Sequence, residues 1–118
     1  MKHLLFILMS SLFAYTSLSA GNFTVDKLKT RDGDELAITF IKHASLMIEY
    51  GGHVIQVDPI SEYADYATFP KADIILITHE HGDHLDKKAI AASEKAGTLI
   101  IANENSREII GKGTVMKN

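Results

Sequence analysis

Strand-like and polar stretches alternate along most of this chain. Leu36 to Ile41 reads LAITFI, a run of residues that suit a pleated, half-buried surface. Ser45 to Tyr50 (SLMIEY) and His53 to Val57 (HVIQV) follow, with Gly51-Gly52 between them. Two glycines between strand-like runs predict a β-hairpin, because the tight primed turns need positive φ. Asp58-Pro59 then ends the strand, since proline has no N–H to give to a ladder. Upstream, Phe23-Thr24-Val25 predicts a short strand, and Arg31-Asp32-Gly33-Asp34 a polar turn.

Beyond the proline the pattern changes. Ser61 to Asp73 is irregular, with Tyr63, Tyr66 and Phe69 as packing residues. Ile74 to Thr78 is apolar at four consecutive positions, which predicts a strand buried on both faces. A helix should follow, with Asp86 as its N-cap and Gly97 as its stop. Leu85 and Ile90 fall at the positions of a hydrophobic staple, whereas Lys87 and Lys88 oppose the helix dipole. Thr98 to Ala102 predicts another strand. Asn105-Ser106-Arg107-Glu108 reads as a capping box opening a short helix that ends at Gly111. Val115 begins one more strand. Strands first, then strand and helix in alternation, predict an α/β (α+β layered) fold: a mixed sheet with a β-hairpin and flanking helices.

The first twenty residues stand apart. Met1-Lys2-His3 is a short positive start, Leu4 to Leu8 opens an apolar stretch to about Ala14, and Ser17-Leu18-Ser19-Ala20 offers small residues at cleavage spacing. That layout is a secretory signal peptide over residues 1–20, with residues 21–118 as the folded part and a secreted or periplasmic location. The alternative is a membrane anchor, but the apolar run falls short of the ~20 residues a spanning helix needs. No stable membrane anchor is therefore expected. The 118 residues carry a net charge of −3, which gives no electrostatic case for nucleic acid. With no cysteine, disulfides and thiolate ligands are excluded, and any metal site must use His, Asp and Glu.

Such a site stands directly after the apolar run, in His79-Glu80-His81-Gly82-Asp83-His84. Neutral imidazole and carboxylate are good ligands for zinc and similar divalent ions. In an extended segment residues two apart point the same way, so His79 and His81 can face one ion together. Gly82 allows a tight turn, after which Asp83 and His84 can be aimed at a second, nearby position. Two ions about 3.5–4 Å apart can clamp the oxygens of a hydrolysis. Half of the six histidines fall in this one stretch, which a solvated polar loop explains poorly. The zinc-protease pattern H-E-x-x-H fails, because position 83 is Asp.

THEHGDHLD resembles the H-x-H-x-D-H motif of the metallo-β-lactamase superfamily. The preceding ITFIKHASLMIEYGGHVIQVDPI resembles the opening of one branch, that of the ascorbate-phosphate lactonase-like hydrolases and N-acyl-phosphatidylethanolamine phospholipase D. The resemblance runs from about Leu36 to Ala102. It implies that His79 and His81 bind the first metal and that Asp83 and His84 bind the second. Asp83 would also hydrogen-bond the attacking hydroxide. The resemblance places Asp58 behind a ligand, orienting a histidine, although a plain turn residue fits Asp58 equally well. It places His43 near the site mouth, against substrate or leaving group, although a histidine before a strand is more often structural. Asp86 is a helix cap rather than a ligand.

A complete domain of this kind is an αββα sandwich roughly twice this length. The resemblance assigns this chain to the N-terminal half, a partial domain. No histidine follows position 84, so the ligands that the family draws from its second half are not supplied here. The expected function is an exported metal-dependent hydrolase acting on a small-molecule ester, lactone, amide or phosphodiester. Its cofactors would be two divalent ions, with zinc the default and manganese or iron also suited. Weak metal binding and no activity are expected of the isolated chain. The alternatives are a non-catalytic remnant, or a metal-binding module completed by a missing C-terminal half or by a homo-oligomer.

Overall fold

The computed structural model describes residues 21–117; the expected signal peptide lies outside them. Seven strands form one sheet in sequence order. They are β1 Thr24–Lys29, β2 Glu35–Lys42, β3 Ser45–Tyr50, β4 His53–Val57, β5 Ile74–Ile77, β6 Leu99–Ala102 and β7 Thr114–Val115. The first four pair antiparallel and the last four parallel, so the sheet is mixed as expected. Gly51 and Gly52, at φ 57° and 78°, close the predicted hairpin between β3 and β4. Among the described residues no helix is long and apolar enough to cross a membrane.

Two helices, α1 Lys87–Ser93 and α2 Glu104–Ile110, make the parallel crossovers β5–β6 and β6–β7. The β4–β5 crossover instead runs through Asp58–Asp73 without a helix. It packs on the sheet by Tyr66 and Phe69, whose rings meet edge to face at 5.4 Å. Tyr63 stays partly exposed, with the Lys42 ammonium 4.8 Å above its ring. Both helices and this crossover cover the same sheet face. One part of the core joins Ile75, Ile77, Ile100 and Ala102 to Ile90 of α1, with Leu85 and Ile110 against them. The other joins Met47 and Val54 to Tyr66, Phe69 and Ala89.

The opposite face corrects one expectation. Ile75 and Ile77 are buried, but Ile74 and Leu76 are only partly so. The register lines Ile38, Ile48, Ile55, Ile74 and Leu99 in one apolar row across five strands. Phe40, Leu46, Val57, Leu76 and Ile101 form a second row. Leu99 and Phe40 are each 45% exposed. The strand is apolar at successive positions because both faces are built for burial, and the described residues cover only one of them.

The helix ends also differ from expectation. Asp86 caps α1 as predicted, and Leu85 packs on the cluster that holds Ile90. The helix ends at Ser93, four residues before Gly97. There the Thr98 hydroxyl donates to the Ala72 carbonyl at 2.7 Å and accepts the Lys95 N–H at 2.9 Å, drawing the chain toward β6. At α2 the cap is Asn103, two residues before the predicted Asn105. Its Oδ1 accepts the Ser106 N–H at 2.8 Å, and Gly111 closes the helix at φ 83°. Asn103 wins because it sits where β6 ends, one residue before the helix.

Asp86 does more than cap. Its Oδ1 accepts the Lys88 N–H at 2.8 Å, and its Oδ2 accepts the Ser61 N–H, also at 2.8 Å, and the Ser61 hydroxyl. Burial pushes the Asp86 carboxyl up, but these hydrogen bonds outweigh it and hold the group below its ordinary range. A carboxyl depressed in the folded state stabilises fully above its unfolded pKa, near ~4, and that contribution is lost as pH falls through the folded value. Asp86→Ala is therefore expected to cost about 1–2 kcal/mol at pH 7 in urea unfolding. The gap between wild type and variant should narrow below about pH 4; a gap that stays constant down to pH 3 contradicts this role.

Candidate metal centre

β4 and β5 are parallel neighbours with Val57 opposite Leu76, so both chains leave the sheet at the same edge. Asp58 therefore stands beside Thr78, where sites gather in α/β sheets. Asp58 is fully buried, at φ 42°, a left-handed backbone that costs a residue with a side chain on the order of 1–3 kcal/mol. Hydrogen bonds hold it there. Its N–H donates to the Leu76 carbonyl at 2.9 Å, and its own carbonyl accepts the Ser45 hydroxyl. Its Oδ1 accepts the Thr78 N–H at 2.8 Å. Its Oδ2 accepts the Thr78 hydroxyl at 2.6 Å and faces His84 Nδ1 at 2.8 Å.

These bonds set the tautomers of two histidines. An ionised carboxylate only accepts, so His84 Nδ1 must carry the proton facing Asp58. The Thr78 hydroxyl spends its one proton on Asp58. It must therefore accept from His79 Nδ1, which lies 3.0 Å away. In the neutral form both rings are left with a bare Nε2, the lone pair a metal ion takes. A ligand histidine whose other nitrogen is anchored in this way is the usual arrangement at metal sites.

The six residues singled out from the sequence all reach this edge. The rings of His79 and His81 lie 4.6 Å apart between centroids, and those of His79 and His84 3.9 Å apart. Asp58 is the carboxylate behind His84, with Oδ2 2.8 Å from the ring's Nδ1. His43 departs furthest from expectation. It occupies the β2–β3 turn at φ 55°, with its Nε2 3.2 Å from His84 Nε2 and 3.1 Å from Asp83 Oδ2. Ligand atoms of His43, Asp83 and His84 all fall within 4.8 Å of one another. His43 thus stands inside the cluster, not only at its mouth. Asp83 is exposed. Its own backbone N–H, and then the nearby His84 and His43, hold its carboxyl below the ordinary range, ionised and fit to ligate or to accept a hydrogen bond.

Imidazole nitrogens, two of them on rings anchored at Nδ1, and the Asp83 carboxylate are a donor set that suits zinc or a similar divalent ion. Two features of the centre were not read from the sequence. Thr78 orients both Asp58 and His79, and its only sign was a hydroxyl between an apolar strand and the histidines. Glu80 is the other. The amides of Asn105 and Asn103 hydrogen-bond its carboxylate and hold its pKa down to about 2. Those partners lie 25 and 23 residues away, a distance that spacing alone does not bridge.

Comparison with known proteins bears on what this edge is. A family described as a beta-lactamase superfamily domain matches residues 37–116. A UPF0173 metal-dependent hydrolase of Flavobacterium johnsoniae is 47% identical over 75 residues, 58% of this chain and 32% of that protein. A UPF0173 protein of Pyrococcus abyssi is 38% identical over 80 residues, 68% of this chain and 33% of that protein. The chain thus spans about a third of the length of these relatives. A crystal structure from Parabacteroides distasonis, provisionally described as a metal-dependent hydrolase, superposes with a TM-score of 0.80 at 70% identity. It covers 82% of this chain and 44% of that one. The family match takes in all six site residues and six of the seven strands; with the shared fold it establishes that this chain belongs to the metallo-β-lactamase superfamily.

Proposed function

We propose that this chain carries the metal-binding half of an exported metal-dependent hydrolase. The observation that carries the reading is the Asp58–His84 pair, in which a buried carboxylate turns a ligand nitrogen outward toward Asp83 and His43. The names borne by the relatives in Flavobacterium and Parabacteroides support hydrolysis. The charged start, apolar stretch and small residues at positions 1–20 support export. The His-Ala-Ser turn and the Asp-Pro step support kinship with the lactonase-like and phospholipase D branch. The substrate class remains a small ester, lactone, amide or phosphodiester.

His79, His81, Asp83 and His84 would hold the ions, zinc by default, and His43 stands within reach of the same cluster. A divalent ion, when bound there, supplies Lewis-acid activation of water and of the substrate oxygen. The chain's own residues do the rest. Asp58 and Thr78 keep His84 and His79 in the tautomer with Nε2 free. Asp83, ionised and exposed, offers an oxygen to accept a hydrogen bond from the attacking water. His43, at 3.1 Å from Asp83, donates to that carboxylate and orients it.

The apolar rows on the open sheet face support a partial domain, since a second sheet packs on such a surface. They also support a second reading, in which another copy of the chain covers that face and completes the centre.

With zinc in excess, the chain is expected to take up one to two equivalents, weakly, by equilibrium dialysis. His79→Ala with His81→Ala should abolish stoichiometric uptake; unchanged metal content in that variant rejects the ligand assignment. Asp58→Asn should weaken zinc binding by about 10–100-fold in chelator competition. Paired with the part of the Parabacteroides chain that it does not cover, the zinc-loaded chain should cleave at least one of a model ester, lactone, amide or phosphodiester, and a chelator should stop it. A zinc-bound pair inert toward all four refutes hydrolysis. Sedimentation decides the second reading: activity of the chain alone that disappears on dilution to monomer supports a second copy.

A further inference from the structure

Glu80 sits between two of the metal-centre histidines, yet nothing derived above gives it a task. Glu80 lies in a bend just past β5, and its carboxylate is directed at the start of α2. Both of its oxygens are engaged there. Oε1 accepts an amide N–H of Asn105 at 3.0 Å, and Oε2 accepts one of Asn103 at 3.1 Å. Asn103 cannot turn over, because its Oδ1 accepts the Ser106 N–H at the start of α2. Its Nδ2 must therefore face Glu80. Asn105 lies in the first turn of the same helix. Two donors fixed by one helix thus grip the two oxygens of one carboxylate. α2 is itself set on the sheet, with Ile110 against the core and the Met116 N–H bonded to the Ala102 carbonyl beyond it.

We infer that Glu80 is a positioning residue: the Asn103–Glu80–Asn105 clamp ties the His79–His81 segment to α2 and presets the two imidazoles for a divalent ion. Such a segment lies beyond the last ladder bond of β5, which ends at Ile77. His79 is also held through Thr78, but without the clamp the outer part of the segment would have more freedom for the ion to remove, and the entropy of that ordering would be subtracted from the binding free energy. The clamp supplies that order beforehand. The inference rests on the metal reading proposed above.

The test is zinc affinity of the chain at neutral pH by chelator competition, beside thermal unfolding without metal. Glu80→Ala is expected to weaken zinc binding by about 10–100-fold, the range seen when residues that orient metal ligands are removed. Glu80→Gln should recover part of the loss, since it keeps one acceptor for one of the two amides. Asn105→Ala reaches the same clamp from an exposed helical position and tests it where Glu80→Ala folds poorly. Combined with Glu80→Ala it should cost little more than Glu80→Ala alone, the non-additivity of a shared contact. A Glu80→Ala chain that unfolds at lower temperature but binds zinc as tightly as wild type overturns the inference in favour of a purely structural contact. Additive losses in the double variant overturn it as well. If the wild-type chain binds no zinc, the metal reading itself fails.

Discussion

The candidate metal centre depends on one buried carboxylate. Asp58 lies at the end of β4 with no exposed surface, and an unpaired charge there would be costly. The Thr78 amide and hydroxyl and the His84 imidazole satisfy it, and each partner is itself a part of the centre. The carboxylate thus fixes the direction of Thr78, which fixes His79, and it fixes His84 directly. These hydrogen bonds offset the cost of burying the charge. That is why the histidine-rich loop has a defined geometry although it lies outside regular structure.

The sheet makes that pairing available. Parallel β4 and β5 end at the same edge, and a long crossover between them leaves room for Tyr66 and Phe69 to close the core beneath. Asp86 joins that crossover to the start of α1 through Ser61. The loop between β5 and α1 is thereby anchored at its far end by a cap and at its near end by Asp58. Glu80, held by α2, adds a third anchor on the outward side. Three carboxylates, one on the β4–β5 crossover and two in the loop itself, restrain a nine-residue stretch from three directions.

The two faces of the sheet carry different loads. One is closed by helices and the crossover. The other presents rows of isoleucine, leucine, valine and phenylalanine that are only partly covered. Apolar area on that scale is a surface made for another layer. The match to 44% of the Parabacteroides chain agrees with that shape.

Local patterns settled much of this in advance. The hairpin at Gly51-Gly52, the strands from Leu36 to Val57, the Asp86 cap and the crowding of histidine and aspartate from His79 to His84 each depend on neighbours in sequence. Spacing and turn residues are enough to read them. Helix ends were less legible: α1 stops early because Thr98 bonds across to Ala72, and α2 starts early because Asn103 leaves β6 at the right place. The tautomer of His84, that of His79 through the Asp58 bond to Thr78, the entry of His43 into the cluster and the clamp on Glu80 all involve partners many residues away. Such contacts exist only once the sheet has brought the strand ends together. The sequence by itself determined which groups could take a metal; the tertiary structure decided which way their nitrogens point, because a hydrogen bond's direction is set by where its partner stands and not by where it lies along the chain.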